Sequence, residues 1–409
     1  MNIIWLTPEF PSSNDNTKGI YIYRTVKELA KHYKITVIAL YPAAPPILEI
    51  IKYKKDWKTL YSDWKTSYNN VNNSIIIPNC DIIYLNYYRL PRKLFHDIEG
   101  WFAYFQLRNK LEKIVTKDSI IHANWIFPAG TLGKIISDKY QIPFLISLLG
   151  SDVNRLVQGH KFWRSAQKLL NRSNIVTAVT NDLFEKCKEK NISIDESKKF
   201  LIDNIYETNK FIIKDRKQVK KILGIDESLR IIFYAGNLIP LKNVDVLINA
   251  FKLITNQEMG IELFIAGTGT DEGELKRLSQ NLIIDKKVHF LGALNGDDLV
   301  KYYNAADILC LQSKSEGLPN VIVESFFCGT PVIASKVGGI PDIVKVGSNG
   351  FLVEPNSVDD LAEKIKLGLN SNWDRIKIRE SISHLLTENV IQKYHNIYNR
   401  IYSNSYEIY

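Results

Sequence analysis

Two glutamates, Glu316 and Glu324, stand out for their type and spacing. Seven residues separate them within SKSEGLPNVIVESFFCGTPVIASKVGGIP, the run from Ser313 to Pro341. An ionised carboxylate only accepts hydrogen bonds, and it suits the vicinal hydroxyls of a sugar. Glu324 lies inside the apolar stretch VIVESFFCG, where a charge is costly unless it is paired or used. Taken singly, Glu316 needs no role beyond stabilising a helix start, and Glu324 needs none beyond solvation. Their common setting argues for a ligand. The apolar run Ile308–Leu311 before them predicts a buried strand, Gly317 and Pro319 predict a turn, and a helix is expected from about Asn320. A carboxylate just past a strand's carboxyl end faces the ligand crevice of an open α/β sheet. The first N–H groups of a helix can hold an anion or sugar oxygens.

The elements that must carry these residues repeat along the chain. Short apolar, β-branched runs alternate with segments of helical period, the pattern of a parallel α/β protein. In the first half the expected strands are Ile3–Leu6, Ile35–Leu40, Ile120–His122, Phe144–Leu149 and Ile175–Val179, with helices near 20–32, 129–139 and 161–171. Residues 42–75 and 86–118 interrupt this rhythm and read as insertions. The second half offers strands at Ile231–Ala235, Glu262–Ala266, Val288–Leu291, Ile308–Leu311, Val332–Ala334 and Gly350–Val353. The break falls near Asp203–Val219, and a helix-like tail covers Glu388–Tyr402. Gly267-Thr268-Gly269-Thr270 reads as a strand-to-helix turn. His122 and Asn124 end a strand and are either ligand contacts or structural groups.

A chain of 409 residues is comfortable for two domains. Its four cysteines (Cys80, Cys187, Cys310, Cys328) form no CxxC pair, so neither a zinc site nor a disulfide framework is expected, and the reading is a reduced, cytoplasmic protein. No signal-peptide pattern and no membrane-spanning run is evident. Residues 1–200 carry 29 Lys and Arg against 18 Asp and Glu, while the remainder carries 24 against 26. The basic half also interleaves aromatics with cations: Lys52, Lys54, Lys55, Trp57, Lys58, Trp64 and Lys65, then Tyr87, Tyr88, Arg89, Arg92, Lys93, Phe95, Trp101 and Phe102. Such a surface suits an anionic membrane. No nucleic-acid module is present, so nucleic acid is not an expected partner.

The chain resembles the retaining GT-B glycosyltransferases with the E-x7-E signature, a family that includes teichuronic-acid, capsule and O-antigen transferases. The resemblance lies in Glu316 and Glu324 with GLPNVIVE between them, in CGTPVIAS and GGIPDIV after them, and in FYAGNLIPLKNVDVLINAF (233–251), LFIAGTGTDEGELKRL (263–278), VHFLGAL (288–294) and YNAADILCLQS (303–313). IIHANWIFPAG (120–130), SLLGSDVN (147–154) and VTAVTNDL (176–183) carry it into the first half. It implies two Rossmann-like parallel-sheet lobes with a cleft between them. Residues 1–205 would form the acceptor-binding lobe, joined by a C-terminal helix at 388–409, and residues 206–387 the lobe binding the nucleotide-sugar donor.

The family's roles transfer residue by residue. Glu324 would hold the donor ribose and Glu316 the donor sugar. Gly317, Leu318, Pro319 and Asn320 would form the turn around sugar and phosphate, and Lys242 would hold the diphosphate. Cleavage of a sugar–phosphate bond builds negative charge on the β-phosphate, which a fixed cation stabilises most in the transition state. Gly292, Ala293 and Leu294 would cradle the base, Gly19 would allow close approach of the backbone to the ligand, and Asp152 would belong to the catalytic centre. Substitution at Glu324 should then weaken nucleotide and nucleotide-sugar binding alike, whereas substitution at Glu316 should leave free-nucleotide binding nearly unchanged.

Two positions depart from the family pattern: Asn237 replaces the arginine that accompanies the lysine, and Leu149 replaces a histidine before Gly150. No DxD triplet occurs, which agrees with a metal-independent transfer needing no cofactor beyond the donor substrate, a UDP-sugar ahead of a GDP-sugar. The expected acceptor is a lipid-linked or glycan precursor of the cell surface, reached from the cytoplasm by peripheral association with the inner face of the membrane. A sucrose- or sugar-phosphate-type synthase with a small acceptor, and a catalytically degenerate binding protein, remain as alternatives.

Overall fold

The computed structural model describes residues 1–12, 18–42, 75–87, 96–158 and 162–406. The chain folds as two compact units, Met1–Ile205 with Thr387–Tyr409, and Tyr206–Leu386. Each unit is built on a wholly parallel sheet.

Among the described residues, the sheet of the first unit has seven strands: β1 (Asn2–Thr7), β2 (Lys34–Pro42), β3 (Cys80–Tyr87), β4 (Ser119–Asn124), β5 (Phe144–Leu148), β6 (Ile175–Ala178) and β7 (Lys199–Leu201). They lie in the order β3-β2-β1-β4-β5-β6-β7. Ile3 of β1 pairs with Ile35 on one side and Ile120 on the other. A parallel sheet covered on both faces needs strands that are apolar throughout rather than alternating, and the central strands meet this: β4 and β5 are buried at every position. Connecting helices are α1 (Ile20–Leu29), α2 (Glu99–Ile114), α3 (Thr131–Tyr140), α4 (Ser151–Gln158), α5 (Trp163–Arg172) and α6 (Asn181–Glu189). Two apolar clusters flank the sheet, one centred on Leu6, Leu107, Ile136 and Leu170, the other on Trp5, Val26, Leu29 and Val37.

The second unit has six strands, β8 (Arg230–Ala235), β9 (Ile261–Ala266), β10 (Val288–Gly292), β11 (Ile308–Leu311), β12 (Val332–Ser335) and β13 (Gly350–Val353), in the order β10-β9-β8-β11-β12-β13. Its helices are α7 (Arg216–Ile222), α8 (Val244–Thr255), α9 (Glu272–Asn281), α10 (Gly296–Ala305), α11 (Asn320–Phe327), α12 (Ile340–Ile343), α13 (Val358–Asn370) and α14 (Arg375–Glu380). One core spans both faces of this sheet. In both units the sequence starts in mid-sheet, at β1 and β8, and the strand order reverses there. The loops after β8 and β11 therefore leave neighbouring strands at the same sheet edge, where open α/β sheets bind ligands.

The last helix, α15 (Thr387–Tyr406), belongs to the first unit. Val390, Tyr394, Ile397, Tyr398 and Ile401 recur at helical spacing and are buried in the cluster around Trp5. Each such side chain contributes about 1.5–3 kcal/mol of burial. Lys393 Nζ reaches Asp203 Oδ2 at 2.6 Å, and Tyr33 OH meets His395 Nδ1 at 2.5 Å.

The segment 86–118, read from sequence as an insertion, contains α2. Its inward positions Ala103, Leu107 and Leu111 have helical period, but the exposed Trp101 and Phe105 dilute that signal. β3 was missed for a related reason: CDIIYLNY mixes polar and apolar residues because it is an edge strand, with only Leu85 and Tyr87 fully buried.

Candidate active site

The reversal point of the second sheet gathers the chemistry. After β8 the chain runs through Asn237 to a short turn, Pro240–Lys242. After β11 it runs through Ser313 to Glu316. The two loops are tied by Lys314 N–H donating to the Leu241 carbonyl at 2.9 Å. Lys242 Nζ forms an ion pair with Glu316 Oε1. Ser313 Oγ donates to the same oxygen at 2.7 Å. Lys242 is 19% exposed and Glu316 11%, so the pair is largely desolvated yet open on one side. Ser313 is itself fixed: its N–H donates to Ser335 Oγ at 3.0 Å, and Ser335 Oγ donates to Gln312 Oε1 at 2.6 Å. All three of these residues are buried.

The turn Gly317–Asn320 is set from the far side by the glycines after β12. A Cβ at Gly338 would stand 1.9 Å from the Glu316 carbonyl oxygen, so no other residue lets that loop close. Gly339 N–H donates to Gly317 O at 2.9 Å. Pro319 is buried at the N-cap of α11, and no side chain caps that helix, leaving first-turn N–H groups for an anion. Glu324 is 8% exposed, within α11. Tyr303 OH donates to Glu324 Oε2 at 3.0 Å. Burial first, and the Glu324 charge second, hold the Tyr303 hydroxyl well above its ordinary pKa, so it remains a proton donor to the carboxylate.

The loops after β8, β9 and β10 are stitched in series. Gly236 N–H donates to Ala266 O at 3.0 Å, Leu238 N–H to Thr268 O at 2.9 Å, and Gly267 N–H to Gly292 O at 2.7 Å. Gly292, exposed Ala293 and half-buried Leu294 thus lie on the same sheet edge as Lys242 and Glu316. Asn237 has an exposed side chain, and its carbonyl accepts from Tyr234 OH at 3.0 Å. Burial, then the nearby Glu316 charge, raise the pKa of that tyrosine.

Gly19, Asp152, His122, Asn124 and Leu149 are in the other unit. Gly19 has φ +66° and precedes α1, and a Cβ there would meet Glu9 O at 2.7 Å, which restricts the turn to glycine. Asp152 is 9% exposed. Its carboxylate accepts from Ile126 N–H at 3.3 Å and Gly150 N–H at 3.1 Å, pinning the start of α4 to the segment after β4. Burial raises its pKa to about 6 against the pull of these amides. His122 is a structural histidine: Nδ1 meets Tyr398 OH at 2.8 Å, Nε2 meets Ser147 Oγ at 2.7 Å, and the ring stacks on Trp5 with centroids 3.7 Å apart. Burial pulls its pKa down to about 3. Asn124 and Leu149 line a small cavity with Tyr21 and Thr177.

Residues 215–384 match the family model described as glycosyl transferases group 1. That match takes in most of the second unit. Over more of the chain, N-acetyl-alpha-D-glucosaminyl L-malate synthase of Bacillus anthracis is 26% identical over 329 residues, covering 75% of this chain and 84% of the synthase. A Bacillus subtilis (strain 168) protein, provisionally named teichuronic acid biosynthesis glycosyltransferase TuaC, is 26% identical over 379 residues, covering 89% and 88%. Anabaena Alr3699/HepE, crystallised in complex with UDP, superposes with a TM-score of 0.70 at 19% identity, over 98% of this chain and 100% of that one. The fold is that of the GT-B glycosyltransferases, two Rossmann-like parallel-sheet units.

Within the second unit, the structure brings Lys242 to Glu316 and gives Glu324 a tyrosine partner. Sequence reasoning missed Tyr303 and Ser313 as supports. Ser313 lies three residues before Glu316, in the same turn, and was within reach of a capping argument. Tyr303 lies on another helix, and only packing reveals it. Among the described residues, no group of three or more His, Cys, Asp or Glu could hold a metal ion. Cys187, Cys310 and Cys328 are buried free thiols, and Cys80 is partly buried.

Proposed function

We propose that the chain is a retaining, metal-independent glycosyltransferase that moves a hexose or N-acetylhexosamine from a UDP-sugar to a lipid-linked or polysaccharide-precursor acceptor. The reading is carried by one observation: Lys242 and Glu316, 74 residues apart in sequence, form an ion pair at the reversal point of a parallel sheet, beside the uncapped start of α11. A cation for the diphosphate, a carboxylate for sugar hydroxyls and a helix start for anionic oxygens are what a nucleotide sugar requires. Glu324 binds the ribose, Gly317–Asn320 line the sugar and phosphate, and Gly292, Ala293 and Leu294 border the base. In the first unit, Gly19 permits close approach of the backbone to a ligand, and Asp152 positions the start of α4 for catalysis. Lys242 and helix N-termini supply the positive field that a metal supplies elsewhere. Retention is assigned to a front-face route in which the departing phosphate accepts the acceptor's proton.

Membrane association is part of the proposal. On α2, Trp101 is 48% and Phe105 58% exposed, with Arg108, Lys110 and Lys113 exposed along the same helix, a combination that favours an anionic interface. Phe102, grouped with these from sequence, packs on the core instead. Lys52–Lys65 and Tyr88–Phe95 lie outside the described residues. Among the described residues, no helix is long and apolar enough to cross a membrane. The relative named for an L-malate product favours a second reading, transfer to a small soluble acceptor.

The proposal is tested by thermal melting with a panel of UDP- and GDP-sugars, with and without EDTA. A ligand at 100 times its dissociation constant stabilises by about 2.7 kcal/mol. One UDP-sugar should raise the melting temperature equally in both conditions. No response from any nucleotide sugar would contradict the reading.

A further inference from the structure

The two groups assigned to the diphosphate and to the sugar bind each other. We propose that the Lys242–Glu316 ion pair is an exchangeable lock: the β-phosphate must take Lys242 from Glu316 before Glu316 is released to the sugar hydroxyls, so the phosphate is read before the sugar. The proposal rests on the nucleotide-sugar reading above.

The geometry supports exchange rather than a permanent bridge. Lys242 Nζ and Ser313 Oγ both donate to Oε1 of Glu316. When Lys242 turns to a phosphate, Ser313 keeps the carboxylate in place, and Ser313 is itself buried and anchored to Ser335. The backbone bond from Lys314 to Leu241 holds the two loops together, so only side chains need move. The partial exposure of Lys242 and Glu316 leaves one side open to an incoming anion. An isolated partner of a largely desolvated pair is costly, so Lys242 should leave Glu316 only for another anion. Glu316 therefore opposes binding of a diphosphate that carries no sugar, both by holding the cation and by like-charge repulsion. A nucleotide sugar recovers that loss through bonds from its hydroxyls to the freed carboxylate.

This reverses the expectation drawn from the family resemblance, in which Glu316→Gln leaves free-nucleotide binding nearly unchanged. Here Glu316→Gln should tighten UDP binding roughly tenfold, the low end of one charge-assisted hydrogen bond. UMP, lacking a β-phosphate, should bind within about twofold of wild type, and the preference for UDP-sugar over UDP should collapse. In Lys242→Gln/Glu316→Gln the tightening should vanish. If Glu316→Gln melts before titration, Glu316→Asp, whose carboxylate is withdrawn by one methylene, should show the same direction with smaller size. Isothermal titration of wild type and variants with UDP, UMP and the UDP-sugar that stabilises wild type reads all of this. Absence of UDP and UDP-sugar binding in wild type would remove the nucleotide-sugar reading itself. Binding in wild type with unchanged or weaker UDP binding in Glu316→Gln would overturn the lock alone, as would equal tightening of UDP and UMP.

Discussion

The carboxyl edges of the two sheets carry similar polar groups and use them in opposite ways. In the first unit, Asp152 is held by backbone N–H groups of Ile126 and Gly150, and both nitrogens of His122 are engaged by Tyr398 and Ser147. In the second, Glu316 is held by side chains alone, those of Lys242 and Ser313. A carboxylate that closes a turn through backbone amides cannot be given to a ligand without opening the turn. A side-chain pair can change partners at small net cost, because one set of hydrogen bonds replaces another. Position at the sheet edge nominates a residue for function. The nature of its partner decides whether it is free to act or committed to the fold.

The largest effect that sharpens this contrast is at Lys242. Lys242→Gln should lower kcat roughly 10²- to 10³-fold, the size of one lost transition-state charge contact, as measured by steady-state turnover with the preferred UDP-sugar. A loss below about threefold would place the cation for the diphosphate elsewhere.

His122 should show the converse, stability without ligand binding. His122→Gln should destabilise by roughly 1–3 kcal/mol through unsatisfied partners, with UDP affinity unchanged. The folded pKa of about 3 lies below the unfolded value of about 6.5. The imidazole's contribution is therefore complete above pH 6.5 and is lost as pH falls toward 3. Asp152 runs the other way: its pKa of about 6 is raised, so the cost of keeping it ionised is relieved as pH falls from 6 to below 4. Urea unfolding at pH 7 and pH 5 should show the gap between wild type and His122→Gln narrowing by about 1–2 kcal/mol. A constant gap would mean that the folded protein does not hold His122 neutral.

The smallest effect concerns the surface of α2. Trp101→Ser/Phe105→Ser should reduce sedimentation with anionic vesicles about tenfold, the worth of partial burial of two aromatic side chains, while leaving UDP binding unchanged. Undiminished sedimentation would remove α2 from the membrane-facing surface.

Much of this was legible in the sequence because parallel strands buried on both faces read as continuous apolar runs. Ile308–Leu311 and Gly350–Val353 were bounded to the residue. Edge strand β3 and aromatic helix α2 were not, because partial exposure breaks the hydrophobic period. At the site, Glu316 and Glu324 were visible through their spacing. Lys242 required the family resemblance, since a lysine in a loop has no local signature. Their pairing, and the roles of Ser313 and Tyr303, depend on contacts between segments that no local pattern encodes. His122 was legible as a candidate and was settled only by its partners, one of them on a helix 276 residues away.

Glu324 offers the most direct test of the central claim that the second unit holds a nucleotide sugar through this site. Its carboxylate is placed on α11 and accepts a hydrogen bond from Tyr303. Glu324→Gln, titrated calorimetrically with UDP and with the stabilising UDP-sugar, should weaken both by about 10- to 150-fold, because both contain the ribose and a charge-assisted hydrogen bond contributes roughly 1.5–3 kcal/mol. Unchanged affinity for both ligands, in a variant that melts like wild type, would contradict the account.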